Sequence, residues 1–254
     1  MKITFLGTGT SQGVPVIACD CIVCKSNDTK DKRLRSSILI ETDNNTNILI
    51  DSGPDFRYQM LREKVKKLDA ILITHEHKDH IAGLDDVRAF NYISKKPTEV
   101  YSEQRVLDAI KHDFAYAFAK LRYPGIPKIN LNKITENDFY IKNIKITPIR
   151  VMHFELPVLG YRIGNLTYIT DANFIDDKNI EKIKGTKILI LNALRKEKHI
   201  SHFCLDEAIE VAKKINADKT YFTHISHLMG LHATESKKLP KNMYFAFDKL
   251  QIKI

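Results

Sequence analysis

Thr74-His75-Glu76-His77-Lys78-Asp79-His80 carries four potential metal ligands, His75, His77, Asp79 and His80, within six residues. The residues before it, 68–73, form an apolar, β-branched run that reads as a buried strand. Ile81-Ala82-Gly83-Leu84-Asp85-Asp86-Val87-Arg88 after it reads as the start of a helix. The ligands therefore lie where a strand gives way to a helix, the usual place for a site in an α/β protein. In an extended segment His75 and His77 point the same way. Asp79 and His80, past the bend, can face the same cavity from another side. One pair can hold one ion and the other pair a second, and neutral imidazole with carboxylate suits zinc, manganese or iron. The alternative is a polar loop with solvated histidines, but chance accounts poorly for this density at the mouth of a buried strand.

Working outward, 254 residues allow one large domain or two small ones with a sizeable core. With 43% apolar and 28% charged residues, the composition is that of an ordinary soluble globular protein. No apolar run approaches the ~20 residues of a membrane span. Met1-Lys2-Ile3-Thr4-Phe5-Leu6-Gly7 enters a strand directly and lacks a signal peptide's apolar core. A cytoplasmic location without a membrane partner is expected. Four cysteines, three of them bunched, argue against a secreted disulfide framework. The net charge of +9 permits nucleic-acid binding. The lysines are scattered and not interleaved with aromatics, so a solvated basic surface is the better reading and nucleic acid is disfavoured. That charge also suits an anionic substrate.

In chain order, a strand over 2–6 leads into Gly7-Thr8-Gly9-Thr10-Ser11-Gln12-Gly13-Val14-Pro15. This is either a tight loop bringing backbone near the site or a plain turn. Cys19-Asp20-Cys21-Ile22-Val23-Cys24 follows, and its C-x-C-x-x-C spacing can chelate one structural metal. Such a closed site needs a fourth ligand, from Cys204 or a distant histidine. Strands over 34–41 and 47–51 flank a turn, and a helix runs from Pro54 to about Lys64. Asp51, at the strand end, either orients a ligand histidine or caps that helix. Helices are expected over 83–93 and 103–112, with a short strand over 98–101 between them. The aromatic segment 113–122 packs as core or lies over the pocket as a lid. Strands then dominate, over 128–134, 139–149, 159–163 and 166–170. His153 and Asp171 lie at strand ends, where a two-metal site still lacks ligands, and an aspartate suits a bridging role. A strand over 187–191, a helix over 205–215 and a strand over 219–222 repeat the first half's rhythm. They lead to Thr223-His224-Ile225-Ser226-His227, again a histidine after a strand-ending threonine. Strands over 243–247 and 250–254 close the chain. Two such halves suggest two stacked sheets covered by helices, an α/β fold.

His75, His77, Asp79 and His80 spell the HxHxDH signature of the metallo-β-lactamase superfamily. The glycine loop, the cysteine cluster, Ile50-Asp51-Ser52-Gly53-Pro54-Asp55, Gly83-Leu84-Asp85-Asp86-Val87-Arg88 and Thr223-His224-Ile225-Ser226-His227 resemble its PhnP-like branch nearly end to end. The named member of that branch is a phosphoribosyl cyclic phosphate phosphodiesterase. The resemblance implies one hydrolase domain over 1–254 with the four-layer αββα sandwich. It implies that His75, His77 and His153 hold one divalent ion, manganese or zinc, that Asp79, His80 and His224 hold the other, and that Asp171 bridges them. It also implies a structural zinc on Cys19, Cys21, Cys24 and His227, and a substrate contact by His202 that the residue alone would not suggest. A homodimer is suggested, although no interface is legible in the sequence.

The expected activity is hydrolysis of a small phosphodiester, cyclic or open, by a hydroxide shared between two cations, with Asp79 and His202 in catalytic roles. Arg88 is either a further anion contact or a salt bridge. The rivals are a ribonuclease Z-like nuclease, a thioester or lactone hydrolase, and a non-catalytic PqqB-like accessory protein.

Overall fold

The computed structural model describes residues 1–120 and 123–254. Among them, the first half of the chain contributes β1 (Lys2–Gly7), β2 (Ser37–Glu41), β3 (Asn47–Ile50), β4 (Ala70–Leu72), β5 (Thr98–Ser102) and β6 (Ile129–Lys133). The second half contributes β7 (Phe139–Ile141), β8 (Ile144–His153), β9 (Leu156–Ile163), β10 (Leu166–Ile169), β11 (Ile188–Asn192), β12 (Lys219–Thr223) and β13 (Met243–Phe245). The last strand, β14 (Gln251–Lys253), returns to the first sheet beside β1. The sheet orders are β14-β1-β2-β3-β4-β5-β6 and β13-β12-β11-β10-β9-β8-β7. Read from β14 in the first sheet and from β7 in the second, each is antiparallel over three pairings and parallel over the next three. The two halves thus repeat one topology, as the sequence rhythm suggested.

Alternation along the strands explains the four layers. Ile3, Phe5, Ile38, Ile40, Ile48 and Ile50 of the first sheet pack against Tyr161, Leu166, Tyr168, Ile188 and Ile190 of the second. The alternate residues Leu39, Leu49 and Ile71 face outward, under α1 (Phe56–Arg62), α3 (Arg88–Ser94) and α4 (Gln104–Asp113), so both faces of these strands are buried. The short α2 (Lys78–Ile81) precedes α3, and α5 (Ala115–Phe118) follows α4. On the other outer face lie α6 (Asp177–Ile183) and α7 (Leu205–Ile215), with Ile180, Ala208, Ala212 and Ile215 turned inward. The one-turn α8 (His232–Glu235) closes the helices. No helix among the described residues is long and apolar enough to cross a membrane.

Three expectations change in detail. The run 139–149 is not one strand: the chain reverses at Lys142, at φ 54°, and β7 pairs back on β8. No glycine marks that turn, so the apolar alternation read straight through it. β8 then continues to His153 and pairs with β9 from Leu156, which puts His153 at the tip of a long hairpin. The expected helix over 83–93 is a 3₁₀ turn, Ala82–Val87, followed by α3. In the aromatic segment, Phe114 and Ala117 are buried in the outer core of the first sheet, so it packs as core. Its last residues, 121 and 122, lie outside the described residues.

The sheets are also tied by hydrogen bonds at the end of β4. Tyr161 Oη and Ser102 Oγ both donate to the Ile73 carbonyl, at 2.7 and 2.8 Å, and the Leu159 amide donates to the Thr74 carbonyl at 3.2 Å. Tyr161→Phe leaves that carbonyl with Ser102, so no buried acceptor is orphaned. A loss of about 0.5–1.5 kcal/mol is expected in thermal or denaturant unfolding.

Candidate metal centre

Each candidate ligand lies at or just beyond a strand end on one edge of the sandwich. His75 and His77 follow β4, His77 begins α2, and Asp79 and His80 lie on α2 itself. His153 ends β8, Asp171 follows β10, and His224 follows β12. Donor atoms of His75, His77 and His153 lie within 4.8 Å of one another, as do those of Asp79, His80, Asp171 and His224. Asp171 also groups within that distance with His153 and His202, so its carboxylate lies between the two sets.

The sequence left Asp51 as either an orienting residue or a helix cap. The structure answers for orientation. Asp51 is wholly buried and accepts from the Thr74 amide at 2.9 Å, from the Thr74 hydroxyl at 3.0 Å and from His80 Nδ1 at 2.8 Å. Thr74 Oγ1 in turn lies 3.0 Å from His75 Nδ1 and accepts its proton. His153 Nδ1 donates to the Ser201 carbonyl at 2.8 Å. In all three rings Nδ1 is engaged behind the site, which leaves Nε2 as the free donor atom in front. Glycines let the backbone close around this arrangement. A Cβ on Gly53 would stand 2.0 Å from the Asp79 carbonyl oxygen, and one on Gly83 2.2 Å from that of Gly53.

Burial holds His75 well below the ordinary imidazole value, lowers His153, and brings His224 down to about 4. These rings are neutral, as ligation requires. Burial alone would depress His80 too, but Asp79, Asp171 and Asp51 hold it well above its usual value. Burial likewise opposes the charge on Asp171, and His224 and His80 keep it ionised.

The donor set fits divalent cations. His75 Nε2 and His77 Nδ1 stand 3.0 Å apart, and one cation at ~2.0–2.1 Å from each would satisfy both. The Nε2 atom of His80 is buried without a hydrogen-bond partner, aimed between Asp79 Oδ2 at 3.1 Å and Asp171 Oδ2 at 3.3 Å. Positive charge has to stand between this nitrogen and the two carboxylate oxygens, either a proton on Nε2, which the raised value of His80 favours, or a cation in its place.

A second group lies apart from this one. Cys19, Cys21 and Cys24 Sγ stand 3.3, 3.4 and 3.5 Å from His227 Nδ1. A tetrahedral zinc with the usual bond lengths spaces sulfur and nitrogen about 3.5 Å apart. The Cys24 amide donates to Cys21 Sγ and chiefly accounts for holding that thiol down at about 6, while burial pushes Cys24 up to about 11. Cys204, the other candidate for the fourth position, is buried elsewhere as the N-cap of α7. The glycine loop runs beside the turn joining the two centres: the Thr10 amide donates to the Ile225 carbonyl and the Ile225 amide to the Thr8 carbonyl. It therefore brings backbone near the site and is not a plain turn.

His202 Nε2 lies 3.1 Å from Asp171 Oδ1, inside the site. Arg88 pairs with Asp85 and is a salt bridge. Sequence reading passed over Arg105, which ion-pairs with Glu76 between the two leading histidines and donates to the Pro157 carbonyl at 2.7 Å. The strand-ending threonines noted before His75 and His224 have a third counterpart before Asp171, and Thr74 and Thr170 contact ligands. The recurrence of threonine before His75, Asp171 and His224 was a readable signal for them.

The family described as "Beta-lactamase superfamily domain" matches residues 46–225. A crystal structure of a diphosphatase from the PhnP family is 39% identical, with a TM-score of 0.93, covering 100% of this chain and 97% of that one. A protein of Porphyromonas gingivalis named octanoyltransferase is 40% identical over 99% of this chain and 51% of its own length. A ribonuclease Z of Staphylococcus epidermidis is 30% identical over 73% of this chain and 54% of its own. The chain thus spans about half the length of these curated relatives.

Two predictions follow from the geometry. Cys21→Ser should lower the melting temperature and the zinc content by one equivalent while the remaining metal stays exchangeable. Equal loss of all metal from a still-folded protein would count against separate centres. Asp51→Ala should weaken metal retention by about 10–100-fold in chelator competition, because Asp51 orients a histidine in each group. Asp51→Asn, which keeps the backbone preference and one acceptor, should lose less.

Proposed function

We propose that this chain, which belongs to the metallo-β-lactamase superfamily and to its PhnP-like branch, is a two-metal phosphodiesterase acting on a small phosphodiester. The observation that carries the reading is Asp171, whose carboxylate lies within 4.8 Å of donor atoms of Asp79, His80 and His224 on one side and of His153 and His202 on the other. His75, His77 and His153 would hold one cation, and Asp79, His80 and His224 the other, with Asp171 shared. Cys19, Cys21, Cys24 and His227 would hold a structural zinc. When bound, the two active-site cations activate water and neutralise charge developing on the phosphoryl oxygens.

The rest is the work of the chain's own residues. Asp51, through Thr74 and directly, fixes the rings of His75 and His80 so that substrate binding need not order them. His202 Nε2 faces Asp171 Oδ1, the carboxylate oxygen other than the one His80 faces, where a phosphoryl or leaving oxygen would meet it. As a new P–O bond forms and the ester P–O bond breaks, the leaving alkoxide takes the Nε2 proton of His202. The basic surface favours an anionic substrate.

The similarity to ribonuclease Z supports a second reading, a nuclease using the same centre. Binding of tRNA with a steep salt dependence would favour it. The first test is hydrolysis of bis(p-nitrophenyl) phosphate by metal-stripped protein reloaded with manganese or zinc. Turnover should return in proportion to bound metal. Full loading without turnover would sink the phosphodiester reading and direct the assay to thioesters and lactones.

A further inference from the structure

We infer that His199 is a positioning residue that sets the ring orientation of His202, an assignment that rests on His202 being the substrate-facing group. The segment 195–203 is closed on itself. Arg195 donates to the carbonyls of Glu197 at 3.2 Å and Lys198 at 2.8 Å, and the Leu194 amide donates to the Phe203 carbonyl at 3.0 Å. It is also stitched to the loop that carries Asp171: the Phe203 amide donates to the Ala172 carbonyl at 2.7 Å, and Asn173 Nδ2 to the Ile200 carbonyl at 2.9 Å. His199 therefore has a defined place relative to the centre, although it is only half-buried.

His199 Nδ1 stands 3.2 Å from His202 Nδ1. Two ring nitrogens at that distance share one proton: with none, two lone pairs collide, and with two, the N–H groups do. His199 Nδ1 already takes the Ser201 amide N–H at 3.3 Å, so it presents a lone pair. The shared proton is then on His202 Nδ1, and the proton that His202 gives to a leaving oxygen is a second one, on Nε2, where the ring faces the Asp171 carboxylate. The Ser201 hydroxyl, 3.0 Å from His202 Nδ1 and 3.3 Å from His199 Nδ1, is compatible with this, accepting from His202 and donating to His199. A ring flip of His202 would replace that Nδ1–H with a carbon and swing Nε2 away from Asp171 Oδ1, where it stands at 3.1 Å. His199 thus makes Nε2 the only nitrogen of His202 available to the substrate, much as an orienting partner fixes a ligand histidine. His199 itself touches neither cation site nor substrate.

The test compares His199→Ala, His199→Asn, Ser201→Ala and His202→Ala in the zinc-loaded protein, with metal content and melting temperature confirming the fold. Two substrates are used, diphenyl phosphate and bis(p-nitrophenyl) phosphate. Phenolate leaves poorly and needs a proton, whereas p-nitrophenolate does not. His199→Ala should lower kcat on diphenyl phosphate about 10-fold with KM little changed, and lower it far less on the nitrophenyl ester. His199→Asn should recover most of the loss, since its amide oxygen can accept where Nδ1 did. In ¹⁵N NMR the Nδ1 signal of His202 should lose its hydrogen-bond shift in His199→Ala. Unchanged kcat and an unchanged Nδ1 signal in His199→Ala would overturn the assignment. So would a His199→Asn as slow as the alanine variant, or a Ser201→Ala that alone reproduces the loss. Wild-type turnover in His202→Ala would instead sink the reading of His202, a failure distinguishable from that of His199.

Discussion

A carboxylate wholly removed from water, Asp51 at the end of β3, is the constraint on which the centre depends. Its cost is met by donors that are themselves parts of the site: the Thr74 amide and hydroxyl, and His80 Nδ1. Through Thr74 it reaches His75, and directly it reaches His80. One side chain thus orients a histidine in each prospective cation group. Around it the backbone packs with no room for a Cβ, Gly53 against Asp79 and Gly83 against Gly53. The sandwich serves this by bringing the ends of β3, β4, β8, β10 and β12 to one edge, and the cross-sheet bonds to Ile73 and Thr74 fix the edge where the two halves meet.

The electrostatics are arranged in two tiers. Desolvation keeps His75 and His224 neutral, whereas His80, facing Asp79, Asp171 and Asp51, is held well above its usual value and helps keep Asp171 ionised. Imidazole nitrogens and carboxylate oxygens thus converge on a small volume. The cysteine group repeats the convergence at smaller scale: backbone amides point at the Cys21 and Cys24 sulfurs, and His227 Nδ1 stands beside all three thiols. His224 and His227 sit three residues apart and belong to different centres, so one short turn sets the spacing between them.

How much of this was legible varied with the range of the interaction. His75, His77, Asp79 and His80 were readable because their spacing is local. The cysteine cluster was readable for the same reason. His153, Asp171 and His224 could be suspected only as strand-end residues, since the pairing that brings them together spans the whole chain. Asp51 stayed ambiguous because a strand-ending aspartate before a proline serves capping and orientation equally well. The reversal at Lys142 was hidden because a lysine, not glycine, took the left-handed conformation, and the turn signal of Asn143 beside it went unread. His199 and Arg105 act through partners remote in sequence or pointing away from the ligand stripe, and no one-dimensional pattern separates them from surface residues.

Asp51, Asp171 and His224 share a backbone feature: all three have left-handed φ values, 63°, 54° and 56°. Aspartate, asparagine and histidine tolerate that region better than most side chains, and β-branched residues hardly at all. The residues that can occupy these positions without strain are therefore almost the same residues that can hold or orient a cation. A mutational walk through this site is confined by the chain's geometry before any selection on chemistry acts. The natural detours lead to asparagine or glycine, which preserve the shape of the loops while emptying them of charge. A descendant of this fold could lose its metal and keep its structure in very few steps.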